Sequence, residues 1–295
     1  MLASLLVFGI AYIFIATEKI DKAAAAVLGA AALILFQLVP YEHALRSVDL
    51  NVLFLLIGMM LVMHILSTTG VFEWMAIKIA QRARGNAIRI LLELVVVTAF
   101  VSAWLDNVTT VILMAPITIL ICEILEINPV PFLILQAIAS NVGGTATLIG
   151  DPPNVIIGSA THLTFNAFLV HLTPVVVFIM AALLPIIYLL FRPQLQTTPE
   201  ARERLAHAYP ARAILKPVKL RRGLLVFGLI IVAFCLSHEL GIEPGIIALA
   251  GALVMTLYCR EDLVEALEKV EWNTILFFIG LFMLIGGLEY NGVFE

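Results

Sequence analysis

Two short segments hold the residues best suited to chemistry: Asp106-Asn107-Val108-Thr109-Thr110, and the stretch 141–154, which reads NVGGTATLIGDPPN. In the first, the carboxylate of Asp106 and the amide of Asn107 offer oxygens to a cation, and Thr109 and Thr110 add hydroxyls. A helix starting there also offers its N-terminal amides to an anion. The competing reading is plain N-capping by Asp106 or Asn107. In the second, Gly143 and Gly144 permit close backbone approach and unusual φ, while Pro152 and Pro153 stop a helix from running through. Carbonyls freed between them suit Na⁺, as do the hydroxyls of Thr145 and Thr147 and the carboxylate of Asp151; Asn141 and Asn154 bracket the break. The competing reading is a proline kink with Asn and Thr joining helices. The stretch holds more glycine, proline and polar side chains than a kink needs. All these residues are candidate ion or substrate ligands, with Na⁺ placed at Asp106, Asn107 and Asp151.

The surroundings sharpen this. The chain has 295 residues, 62% hydrophobic and only 13% charged, against about 45–50% and about 25% in soluble domains. Its charges gather in short segments between long apolar runs, the pattern of an all-α polytopic membrane protein. Irregular backbone at membrane depth is tolerated only where it lines a cavity or polar site, and an ionisable group there is a functional candidate by default.

Apolar runs able to span or enter a bilayer are 2–17, 22–40, 50–67, 88–105, 108–125, 131–163, 165–190, 223–238, 244–259 and 273–289. The first follows Met1 directly with no basic leader, so it reads as a span and not a signal peptide. Residues 70–84 alternate apolar and basic faces and suit an interfacial amphipathic helix. Placing 17–22, 78–89, 192–222 and 260–272 on the cytoplasmic side of the plasma membrane puts every Lys and Arg there except Arg46. The N-terminus is then external. This requires 88–125 to start and end on one side, as a re-entrant hairpin with its tip at Leu105-Asp106-Asn107 or as two short spans. A charged tip favours the hairpin.

The segment 48–73 falls on 270–295 after a shift of 222 positions without a gap, with Asn51/Asn273, Gly58/Gly280 and Gly70/Gly292 among the identities. The chain therefore divides into a first repeat (1–190), a hydrophilic linker (191–222) with Pro193, Pro199, Pro210 and Pro217, and a second copy (223–295). An odd number of crossings in the first makes the second inverted, the organisation of many transporters. The second copy stops before a hairpin and broken helix of its own; a complete one would carry the chain to about 412 residues. The sequence thus reads as C-terminally truncated.

The segments DNVTTVILMAPITI (106–119) and SNVGGTATLIGDPPNVII (140–157) resemble the ion transporter superfamily, in the branch holding arsenite permeases, NhaD-type sodium/proton antiporters and the melanosomal P protein; IATEKIDKAAAAVLGAA (15–31) fits the same branch. The resemblance covers essentially the whole chain. It implies a scaffold and a mobile transport unit, a homodimer when full length, and a small ion substrate with Na⁺ or H⁺ as coupling ion. The related dicarboxylate symporters carry Ser-Asn-Thr at the hairpin tip, where this chain has Asp106, Asn107 and, after Val108, Thr109. They carry Thr before the Pro-Pro pair, where this chain has Asp151. Both changes favour a carrier of cations or protons, or an anion carrier whose coupling ion stays bound. The alternative is a non-transporting fragment or subunit that needs a second chain.

No P-loop, Gly-x-Ser-x-Gly elbow or metal-ligand pair points to an enzyme, and no basic patch interleaved with aromatics points to nucleic acid. Cys122, Cys235 and Cys259 are scattered through apolar runs and read as helix packing. Glu93 in the first hairpin arm faces either a cavity or the interface. His64 reads as a packing residue, and His162 and His171 as solvated.

Overall fold

A computed structural model describes residues 1–161, 163–193, 195, 197–206 and 214–293. Pro210, His162 and the Phe294-Glu295 end of the repeated segment lie outside the described residues. The described residues form helices and no strands: α1 (Leu2–Thr17), α2 (Lys22–Leu35), α3 (Tyr41–Arg46), α4 (Leu50–Ser67), α5 (Val71–Arg82), α6 (Ala87–Ser102), α7 (Asn107–Ile124), α8 (Val130–Gly144), α9 (Pro152–Thr161), α10 (Phe165–Phe191), α11 (Pro199–Ala206), α12 (Pro217–Leu240), α13 (Pro244–Cys259), α14 (Leu263–Glu268) and α15 (Trp272–Tyr290). Five of them, α4, α7, α10, α12 and α15, are long and apolar enough to cross a membrane; α1, α2, α8 and α13 are shorter apolar helices. Two apolar runs differ from their helices. Helix α2 stops at Leu35, well short of residue 40, because Gln37 turns the chain with φ +54°. Helix α12 begins at Pro217, inside the expected linker: proline suits the first helical position, and Lys219 in the first turns is buried against Glu261 and the Thr68 hydroxyl.

Carboxylates start several helices. Asp21 caps α2 by accepting from the Ala23 and Ala24 amides, and Asp49 caps α4 through the Asn51 and Val52 amides. The Ala24 amide first, then the Asn273 side chain, hold the Asp21 carboxyl below its ordinary value.

Helices α2, α3 and α4 and helices α13, α14 and α15 begin 222 residues apart, at Lys22 and Pro244, Tyr41 and Leu263, Leu50 and Trp272. They interlock across copies: α4 lies along α13, and α2 along α15. Asn51 Oδ1 accepts from the Gly245 amide (2.6 Å), while Asn273 Nδ2 donates to Asp21 Oδ2 (2.8 Å). A β-carbon on Gly58 would sit 2.4 Å from the Ala248 carbonyl carbon, and one on Gly280 2.6 Å from that of Ala26. Only glycine allows helices to cross this closely, and it does so at equivalent points of both pairs.

These contacts also set direction. Asn273 opens α15 beside Asp21, which opens α2, and Asn291 closes α15 by donating to the Leu38 carbonyl just beyond α2. Ser47, which leads into α4, lies against Gly286 near the end of α15. Thus α4 begins where α2 finishes, and α13 begins beside α4. Helix α13 enters from the end opposite to its counterpart α2.

Helices α6 and α7 start and finish against one segment. Thr197 Oγ1 donates to the Gly85 carbonyl ahead of α6 (3.0 Å), and Arg204 pairs with Glu126 just after α7 (2.6 Å). The pair enters and leaves on one side. Helix α5 covers the pair with Phe72, Ala76, Ile79 and Ala80 buried. The expected span 131–163 is two helices, α8 and α9, with irregular chain between them.

Candidate ion-binding site

The break between α8 and α9 is wired to the hairpin tip. Ser102, the last residue of α6, donates from Oγ to the Ser140 carbonyl (2.7 Å), and Ser140 Oγ donates to the Asn107 carbonyl (2.7 Å). Asn107 Nδ2 donates to Asn141 Oδ1 (2.8 Å). Thr147 donates to the Ala103 carbonyl and accepts from the Gly150 amide; Asn154 Nδ2 donates to the Thr147 carbonyl (2.8 Å). In an apolar surrounding each unpaired polar group would be costly, so these bonds lock tip and break into one unit.

Gly143 keeps ordinary helical φ, and so does Gly144; their role is proximity. A β-carbon on Gly143 would lie 2.0 Å from the Ala99 oxygen. Pro152 and Pro153 occupy the first two positions of α9, where helix amides lack intrahelical partners anyway.

Several expected ligands are engaged structurally. The Thr110 hydroxyl donates to the Asp106 carbonyl and that of Thr145 to the Val142 carbonyl. Asp106 does cap α7, with Oδ1 accepting from the Thr109 amide (2.7 Å) and Oδ2 from the Thr109 hydroxyl (2.5 Å). Its carboxylate nevertheless borders a cavity of about 260 Å³ between α4, the hairpin tip and the start of α15. The walls are mostly Leu and Met; the polar lining is His64, Ser67, Asp106, Thr109, Lys269 and Glu271.

Of the expected ligands, Asp106 and Thr109 line this cavity; Asn107, Asn141, Thr147 and Asn154 belong to the network behind it. Asp151 is half-buried at the end of the break and does not line this cavity.

His64, expected to pack, lines the cavity instead. Lys269 and Glu271, from the segment 260–272, line it as well. Glu271 lies 3.5 Å from Thr109 Oγ1 and accepts from Thr274 Oγ1 (3.2 Å). It makes no cap bond to the α15 backbone, whereas its counterpart Asp49 caps α4. The 222-residue shift already paired these two acids and was the signal for Glu271. His171 is exposed, with Nδ1 against the Ala167 carbonyl (2.8 Å). Glu93 borders a groove with Trp74, Lys78 and Arg82.

A helical membrane protein with interlocked inverted copies, and with a hairpin and a broken helix meeting at a cavity that holds two acids, is a transporter by class. The family model described as Citrate transporter (CitMHS) matches residues 12–295, and the chain belongs to that family. It is 43% identical over 298 residues to an uncharacterised transporter of Mycobacterium tuberculosis, covering 97% of this chain and 68% of that one. It is 40% identical over 291 residues to the 46 kDa membrane protein of Mycobacterium leprae, covering 97% and 68%. The P protein of Homo sapiens is 28% identical over 361 residues, covering 96% of this chain and 43% of that protein.

Proposed function

We propose that the protein is a secondary active ion transporter, and that its ion binds in the cavity bordered by Asp106 and Glu271. One observation carries this reading: carboxylates from the hairpin tip and from the start of α15 flank the same hydroxyl, that of Thr109. That hydroxyl has one proton and points it to Asp106, so its lone pairs and those left on the two carboxylates suit Na⁺ or a proton. His64 in the same lining adds a group able to exchange protons.

A second reading is favoured by Lys269, which is among the residues lining the same cavity, and by the citrate transporter description of the family. In it the ion carried is an anion such as a carboxylate, held by Lys269 and by a coupling cation retained at Asp106. Reconstitution into proteoliposomes with Na⁺, pH and citrate gradients imposed separately distinguishes the two. Asp106→Asn is expected to abolish flux under every gradient while the protein still reconstitutes; retained flux sinks the site assignment. The reading extends to a homodimer in the plasma membrane, with 1–190 and 223–295 as repeats joined by 191–222.

A further inference from the structure

Helices α5 and α6 are joined by a tight turn at 83–86, where Gly85 takes φ +69°. A groove of about 490 Å³ lies between these helices and α10. Its lining changes along its length. Nearest the turn are Lys78 and Arg82, from the end of α5, and Glu93, which at 1.5 Å per residue stands about 9 Å into α6. Farther from the turn are Trp74, in the first turn of α5, and Val97 on α6; Leu184 of α10 adds an apolar wall. Lys78 and Arg82 are exposed and Glu93 is half-buried. Among the described residues no ion pair joins Glu93 to a cation. The turn lies at the aqueous end of the hairpin, whose other foot carries the solvent-exposed Arg204–Glu126 pair. The charged end of the groove therefore sits at the level of lipid headgroups and its apolar end at the level of acyl chains.

We propose that this groove binds a phospholipid whose headgroup carries a primary ammonium. The phosphate lies at Lys78 and Arg82, the ammonium at Glu93, and an acyl chain along Trp74, Val97 and Leu184. The sign of each charge selects this occupant. Cations at the membrane surface attract lipid phosphates, and arginine suits them through its forked donors. A purely anionic headgroup would satisfy the two cations but set its own charge against the Glu93 carboxylate, and like charges repel most where water is partly excluded. A choline headgroup has no N–H to donate. A primary ammonium has three, as lysine does, and its bond to a carboxylate is charge-assisted. It gives a partner to an acid that would otherwise stand unpaired beside lipid, where ionisable groups are costly. Nothing in this site depends on the ion carried.

The test is native mass spectrometry of the full-length protein released from detergent containing equal amounts of phosphatidylethanolamine, phosphatidylcholine and phosphatidylglycerol with the same acyl chains. The native chain should retain phosphatidylethanolamine several-fold over the other two, and retention should fall stepwise as methyl groups are added to its nitrogen. Glu93→Gln should reduce phosphatidylethanolamine to the level of phosphatidylcholine. Lys78→Ala with Arg82→Ala should lower both, and Glu42→Gln, exposed on α3, should change nothing. Equal retention along the methylation series overturns the proposal, with the protein itself unaltered. So does a preference for phosphatidylglycerol, which would mean a site for anionic lipid. A preference that survives Glu93→Gln overturns it as well, because the ammonium would then bind elsewhere.

Discussion

At the scale of single residues, the chemistry narrows from a broad list of ligands to a few side chains that line a cavity. Hydroxyls of Thr110, Thr145 and Thr147 are committed to backbone carbonyls. Asp106 and Glu271 are not fully committed, and the Thr109 hydroxyl sits between them. Glu271→Gln keeps size and hydrogen bonding but removes a charge. It is expected to weaken cation binding by about 1–3 kcal/mol, roughly five- to a hundredfold. An affinity read from the Na⁺ or pH dependence of flux checks this; an unchanged dependence removes Glu271 from the site. Thr109→Ser should preserve transport and Thr109→Val should lose it, since only the hydroxyl bridges the acids. Asp106 was legible in the sequence because a charged residue inside apolar runs is conspicuous. Glu271 was not, because it sat in a segment counted only for its charge.

At the scale of elements, glycine decides which helices can cross. Gly58 and Gly280 meet the backbones of α13 and α2 at equivalent points. Gly58→Leu and Gly280→Leu are each expected to destabilise the protein by about 1–3 kcal/mol or more through forced separation of a helix pair. Thermal unfolding in detergent reads this, and an unchanged midpoint in both would contradict the crossing geometry. A leucine at Gly9 or Gly228, where a β-carbon meets nothing within 4 Å, serves as control. The broken helix was readable from Gly143 to Pro153 because proline and glycine act locally. Its partners were not: the bonds from Ser102 to Ser140 and from Thr147 to Ala103 join residues 38 and 44 positions apart, and no local rule pairs them. The start of α12 at Pro217 was missed for a related reason: a buried ion pair with Glu261 stabilises charged first turns that hydropathy assigns to the linker.

At the scale of the whole molecule, the inverted copies interlock as α4 with α13 and α2 with α15. The positive-inside placement predicts that tags after residue 18 and within 207–213 report the cytoplasmic side, and a tag at the N-terminus the outside. Protease protection in oriented vesicles checks this, and a cytoplasmic N-terminus would reverse the assignment. Taken alone, the sequence determined the membrane class, the helix-breaking stretch and the 222-residue periodicity, because hydropathy, proline and glycine act over short ranges and repeats are visible by comparison. Tertiary structure decided which acids share a cavity, and which residues tie the break to the hairpin tip. Those facts depend on helices far apart in the chain meeting at a particular depth, and side-chain packing sets that depth.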